Sequence, residues 1–255
     1  MHRLMRRSAL GLVTVLTLAV TACGSGNGGG GDGAGDTQGE DPALQLTSSV
    51  ETLNEETFKI EMTMGDLLNA NGAVDGAGGT GRMSMTVGTE GQALDMEIVF
   101  TESDMWMNMG ELGAMLGAET PWMHVDLTQL GEEGFMGMKP GETDFAGAAQ
   151  MLQALGEVEQ VDDRTFEGEI DLTKADSAMI DEETLGGATT LPFTATLDEQ
   201  GRLTQMEVDL PEAEGMPADN LVVRYFDFGQ PVEITPPPAE EVSEMPAEFY
   251  QMFEQ

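Results

Sequence analysis

Basic residues are scarce in this chain: ten Lys and Arg stand against 47 Asp and Glu, a formal net charge of −37. Arg3, Arg6 and Arg7 sit at the extreme N-terminus, so the rest carries only Lys59, Arg82, Lys139, Arg164, Lys174, Arg202 and Arg224. Such a surface repels nucleic acid and anionic lipid head groups, which excludes both as electrostatic partners. Cysteine is equally sparse. Cys23 is the sole example, so the chain forms no internal disulfide and its stability must come from core burial. Histidine is limited to His2 and His124. A Ser-His-Asp site downstream of the N-terminus would therefore have to use His124, which alternates outward between Met123 and Val125 and reads as a lone surface histidine.

Aromatic residues make up 5% of the chain, and Trp106, Trp122, Tyr225 and Tyr250 are its only polar-tipped ones, thin material for a sugar-stacking cleft despite the abundance of carboxylates. No Asp-x-Asp-x-Asp-Gly loop offers spaced oxygen ligands for a cation. The glycine cluster Gly76-Ala77-Gly78-Gly79-Thr80-Gly81 lacks the downstream Lys-Ser/Thr of a phosphate-binding loop. The expectation is a non-enzymatic protein with no metal and no cofactor, whose acids form a solvated surface.

What is present begins with an export signal. His2, Arg3, Arg6 and Arg7 form a basic segment, residues 9–20 a short apolar run, and Val20-Thr21-Ala22-Cys23 a small-residue ending. The run is shorter than the roughly 20 residues a membrane-spanning helix needs. The ending resembles the lipobox of bacterial lipoproteins, which implies cleavage after residue 22, a lipid (diacylglycerol and palmitate-type chains) on Cys23, and a chain held at the extracytoplasmic face of the cell membrane. Residues 24–41 are almost all Gly with small polar residues, a composition that cannot bury an apolar face and reads as a flexible tether. It serves either to let the domain reach a partner or as a passive spacer. The expected organisation is signal peptide 1–22, lipidated Cys23 and tether 23–41, and one domain over 42–255.

Within the domain, Asp41-Pro42 followed by Leu44, Leu46, Val50 and Leu53 predicts an amphipathic helix. The period then changes to two. Phe58, Ile60, Met62 and Met64 alternate with polar residues, as do Met83, Met85 and Val87, and Leu94, Met96, Ile98 and Phe100. Met105, Met107 and Met109 continue the pattern, then Met123, Val125 and Leu127; Phe166, Ile170 and Leu172; Phe193, Ala195 and Leu197; Met206, Val208 and Leu210; and the segment 221–228. These are half-buried strands. Asp198 to Gly201 has the length and glycine of a hairpin turn. Thr143 or Asp144 can cap a helix carrying Phe145, Ala148, Met151, Leu152 and Leu155, stopped by Gly156, and a weaker helix is expected around Pro246 to Phe253. The fold class is α+β: one large antiparallel sheet with helices on one face.

Four stretches resemble a known family. Tyr225-Phe226-Asp227-Phe228-Gly229-Gln230-Pro231-Val232 is similar to the Asp-aromatic-Gly-x-Pro-Val ending of actinobacterial lipoproteins of the LppX/LprG type. Pro121-Trp122-Met123-His124-Val125-Asp126-Leu127, Phe166-Glu167-Gly168-Glu169-Ile170-Asp171-Leu172, and the hairpin from Leu191-Pro192 through Asp198 to Gly201-Arg202-Leu203 resemble further strands of that family in the same order. Thr196 and Phe228 stand where relatives often carry tryptophan. The resemblance implies a strongly curved, half-barrel-like sheet of the lipoprotein-carrier kind, with helices on its concave face and an acylated lipid or glycolipid held between them for transfer within the cell envelope. The methionines suit such a role, because an unbranched, polarisable side chain repacks around variable apolar shapes. The candidate cavity wall is Met62, Met64, Met83, Met85, Met96, Ile98, Phe100, Met105, Met107 and Met109. A close-packed methionine core in a structural or sensing lipoprotein, acting through another envelope protein, is the competing expectation.

Overall fold

The computed structural model describes residues 41–88, 93–115, 119–130, 153–174, 185, 187–212, 219–246 and 250, all within the unit Gly39–Gln255. Cys23, the tether and most of the helix expected over 143–155 lie outside these residues.

The chain opens with helix α1 (Pro42–Glu51), whose N-cap Asp41 accepts the Ala43 amide at 3.0 Å. Proline occupies the first helical position, where no hydrogen-bond donor is needed. The strands follow: β1 (Thr57–Met64), β2 (Leu68–Asp75), β3 (Thr80–Val87), β4 (Leu94–Phe100) and β5 (Asp104–Asn108). After the short helix α2 (Gly110–Met115) come β6 (Trp122–Asp126), β7 (Leu155–Gln160), β8 (Thr165–Asp171), β9 (Thr190–Leu197), β10 (Leu203–Leu210), β11 (Asp219–Phe226) and β12 (Val242–Glu244).

All twelve strands belong to one open sheet, ordered β12-β6-β5-β4-β3-β2-β1-β11-β10-β9-β8-β7. Two meanders, β1 to β6 and β7 to β11, join through the antiparallel pairing of β1 with β11. The sheet is mixed, which corrects the all-antiparallel expectation: β12 returns after β11 and pairs parallel with β6. A second correction falls at Leu155 and Gly156. Leu155, expected as the last helical contact, and Gly156, expected as the stop, both open β7, which among the described residues pairs with β8 at the sheet edge. The C-terminal helix expected from Pro246 to Phe253 falls almost wholly outside the described residues.

One face of the sheet is apolar, and α1 packs against β7 and β10 with Leu46 and Val50 joining the core of that face. β2 shows how the face is filled. Its sequence, with Ala70 and Gly72 pointing inward, has little strand propensity of its own. Ala70 lies between Met62 and Met85, and Gly72 between Ile60 and Met83. Small residues in the middle strand leave room for long ones on both sides. A Cβ on Gly72 would come within 2.5 Å of the Arg82 carbonyl. Gly81 and Gly168 serve similarly, each covered by a cross-strand phenylalanine, Phe100 and Phe193.

Two motifs close the C-terminal half. Asp198 accepts the amides of Gln200 and Arg202 at 2.8 and 3.0 Å, and Gly201 takes φ +79° to complete the turn. Arg202 bonds back to Asp198 at 2.7 Å and lies 4.3 Å above the Phe228 ring. Phe228 is placed there because Asp227 and Gly229, at φ +54° and +68°, turn the chain sharply off β11.

Candidate functional site

The ten candidate wall residues all lie on the apolar face, but they are not equivalent. Cross-strand registers arrange that face in rows. Phe58, Val74, Gly81, Phe100, Met105 and Val125 form one, and none is more than slightly exposed. Ile60, Gly72, Met83, Ile98, Met107 and Met123 form the next, with Gly72 and Met83 half-buried. In the third row, Met62, Ala70, Met85 and Met96, every residue but Ala70 is half-buried. The fourth, Met64, Leu68, Val87 and Leu94, includes Val87 at 40% exposure.

Exposure thus rises along β1 to β4 from a closed end to an open one. Ile98, Phe100, Met105 and Met107 are closed core, at 5% exposure or less. Met62, Met64, Met83, Met85 and Met109 pack against that core while keeping part of their surface outside it. A depression of about 330 Å³ over the same strands is lined by Asn69, Asn71, Ser84, Thr86, Asp95 and Glu97, which alternate to the opposite, polar face, so it is not part of the methionine surface.

A separate cleft of about 810 Å³ lies between α1 and the β7–β8 and β9–β10 turns. Phe166 and Leu197 contribute to its lining, but so do Asp41, Asp163, Asp198 and Glu199. Those carboxylates do not suit an acyl chain, so the methionine rows and not this cleft form the apolar candidate surface.

His124 was the position least well read from the sequence. It does project from the opposite, polar face, yet its side chain is only 17% exposed. Nδ1 lies 2.8 Å from Glu244 Oε2 and Nε2 lies 2.7 Å from Asp104 Oδ1, so both ring nitrogens face carboxylates. The ring stacks on Trp106 with centroids 5.4 Å apart. Burial opposes the charged ring, but the hydrogen bonds and charges of Glu244 and Asp104 outweigh it and raise the pKa above the ordinary 6.5. Asp104 is held below the ordinary carboxylate range, first by the Ser103 hydroxyl, against burial, and then by His124. An imidazole flanked by two acceptors is satisfied only when both nitrogens carry protons. No set of three or more metal-ligating side chains is assembled among the described residues.

The charge imbalance is visible in the ion pairs. Lys59, Arg82, Arg164, Lys174, Arg202 and Arg224 each have a carboxylate within reach, at 2.7 to 3.8 Å. The acids far outnumber these bases, so the net charge is strongly negative. Their repulsion is screened over about 8–10 Å at ordinary ionic strength, so the melting temperature should rise between low and moderate salt. A flat or falling melting temperature in calorimetry would remove self-repulsion from the account.

Comparison with known proteins gives no family model that matches the chain and no curated protein that matches it.

Proposed function

We propose that this is a membrane-anchored extracytoplasmic lipoprotein that binds an acylated lipid or glycolipid against the open end of its methionine rows. The observation that carries the reading is the exposure gradient: a broad apolar surface is closed at the Phe58–Met105 end and left half-buried at Met62, Met64, Met85 and Met96. Methionine is suited to a surface that repacks around acyl chains. The likeness of four ordered stretches to LppX/LprG-type lipoproteins supports a strongly curved sheet with helices on its concave face, and transfer of the ligand within the envelope. In this reading the wall is Met62, Met64, Met83, Met85, Met96 and Met109, while Ile98, Phe100, Met105 and Met107 support it from the core. The protein carries no reaction of its own and needs no cofactor.

Substitution separates wall from core. Met96→Trp should leave the melting temperature of ligand-free protein near wild type while displacing a fluorescent fatty-acid probe. Met107→Trp, in a closed position, should overpack and cost about 1–3 kcal/mol. Equal destabilisation by both, with no probe binding to the parent, would overturn the reading. It would favour instead a structural or sensing lipoprotein acting through an envelope partner, a role to which the closed packing of Met105 and Met107 is equally suited.

A further inference from the structure

The chain does not end at β11. After the turn at Asp227 and Gly229 it runs past Pro236, Pro237 and Pro238 without joining a strand, and then reaches β6 at the far edge of the sheet as β12. β12 is three residues long, too short for its ladder alone to fix a sheet edge firmly. It forms the parallel pairs Val242–Trp122, Ser243–Met123 and Glu244–His124. The Met245 amide adds a bond to the His124 carbonyl at 2.9 Å, and the Ser243 hydroxyl one to the Trp122 carbonyl at 3.3 Å. The only charged tie across this junction among the described residues is the imidazole of His124, held between Glu244 of β12 and Asp104 of β5.

We propose that Asp104, His124 and Glu244 form a proton-dependent latch that holds the C-terminal strand β12 on the edge of β6. With both ring nitrogens protonated, His124 donates to β5 and to β12 at once and ties three strands together. Loss of one proton leaves a bare nitrogen lone pair facing a carboxylate oxygen at hydrogen-bond distance, which is repulsive. Glu244 is 78% exposed and Asp104 35%, so the side that yields is Glu244, which water solvates readily. β12 then keeps its short ladder, the Ser243 hydroxyl bond and the buried Met245 but has lost its charged tie, and the β6 edge opens more often.

The charged and titratable groups around the ring are few. β5 presents Asp104, β12 presents Glu244, and β6 itself adds Asp126, which interacts with His124 through space. Trp106 of β5 supplies an uncharged stacking face, and Val99 of β4 follows it in the same row. Tyr250 lies nearby, its phenol oxygen accepting the Asp126 amide at 3.0 Å, and its own pKa is raised, first by burial. Asp104 and Asp126 are both held below the ordinary carboxylate range, and His124 is the group of this cluster raised toward neutral pH, so it sets the switch there. Because its folded-state pKa lies above 6.5, the latch is fully made below about pH 6.5 and is lost as pH rises through the raised value. At the acid end the tie to β5 is lost when Asp104 protonates, below the ordinary carboxylate range.

Hydrogen exchange of the full chain tests this. Protection of the peptide containing residues 242–246, corrected for intrinsic exchange and divided by that of β8, should fall by about two- to fivefold as pH rises through the His124 midpoint, the scale of an exposed ion pair. The midpoint itself is read from His124 by NMR, or from quenching of Trp106 by the charged ring. His124→Gln should remove the step. If that variant does not fold, Glu244→Gln, at an exposed position, should flatten the step while leaving β8 unchanged. A wild-type ratio that stays constant while His124 titrates overturns the latch, and so does a step that survives both substitutions. This inference does not depend on lipid binding.

Discussion

Replacing Phe166 with alanine is expected to lower the unfolding free energy by about 3–5 kcal/mol, the usual cost of emptying a buried phenylalanine site. The ring is fully buried, pairs across to Ala195, and belongs to the cluster that joins β8 and β9 to Leu46, Val50 and Leu53 beside α1. With no disulfide to limit the unfolded state, a loss of that size is a large fraction of the stability of an ordinary domain. Urea denaturation should show a lower midpoint with little change in slope. Phe226→Ala supplies the control, since that ring is 41% exposed and its removal should cost no more than about 0.5 kcal/mol. Equal effects at the two positions would mean that the core has been assigned to the wrong face of the sheet.

The other large effect is expected at Cys23, and it concerns location instead of stability. If the thiol carries the lipid, Cys23→Ser should abolish membrane retention of the processed chain or leave it attached only through an uncleaved signal. Fractionation followed by intact-mass measurement distinguishes the two. Unchanged retention at an unchanged processed mass would end the lipoprotein reading. Among the described residues no helix is long and apolar enough to cross a membrane, so the prediction rests on the N-terminal sequence alone.

Strands with clean alternation were legible. Phe58 to Met64, Met83 to Val87, Leu94 to Phe100 and Met206 to Leu210 all carry apolar residues at a period of two, and all are strands with those residues on one face. β2 escaped because its inward positions include Ala70 and Gly72, small by necessity beside the methionines; their role exists only once β1 and β3 are in place. β7 escaped because an edge strand needs few apolar residues: only Leu155 and Val158 of its six are turned partly inward, and Leu155 also fits the helical spacing of the residues before it. The parallel return of β12 left no local signal at all.

The candidate wall was legible only as a face. Period two placed Met96 and Met107 on the same side, but it could not show that Met107 is buried while Met96 is only half-buried. That difference arises from position along the strands, which depends on what packs over each end. His124 was misjudged for a related reason. Its partners Asp104 and Glu244 are 20 and 120 residues away, and only the pairing of β5, β6 and β12 brings Glu244 beside it and Asp104 diagonal to it.

Lipid binding is the central claim, and native mass spectrometry of unlipidated protein purified from a bacterial host tests it most directly. The account predicts a population heavier than the apo chain by the mass of an acylated lipid, lost on organic extraction and depleted in Met96→Trp. A single apo mass, from a protein that also fails to take up a fatty-acid probe after extraction, would contradict it.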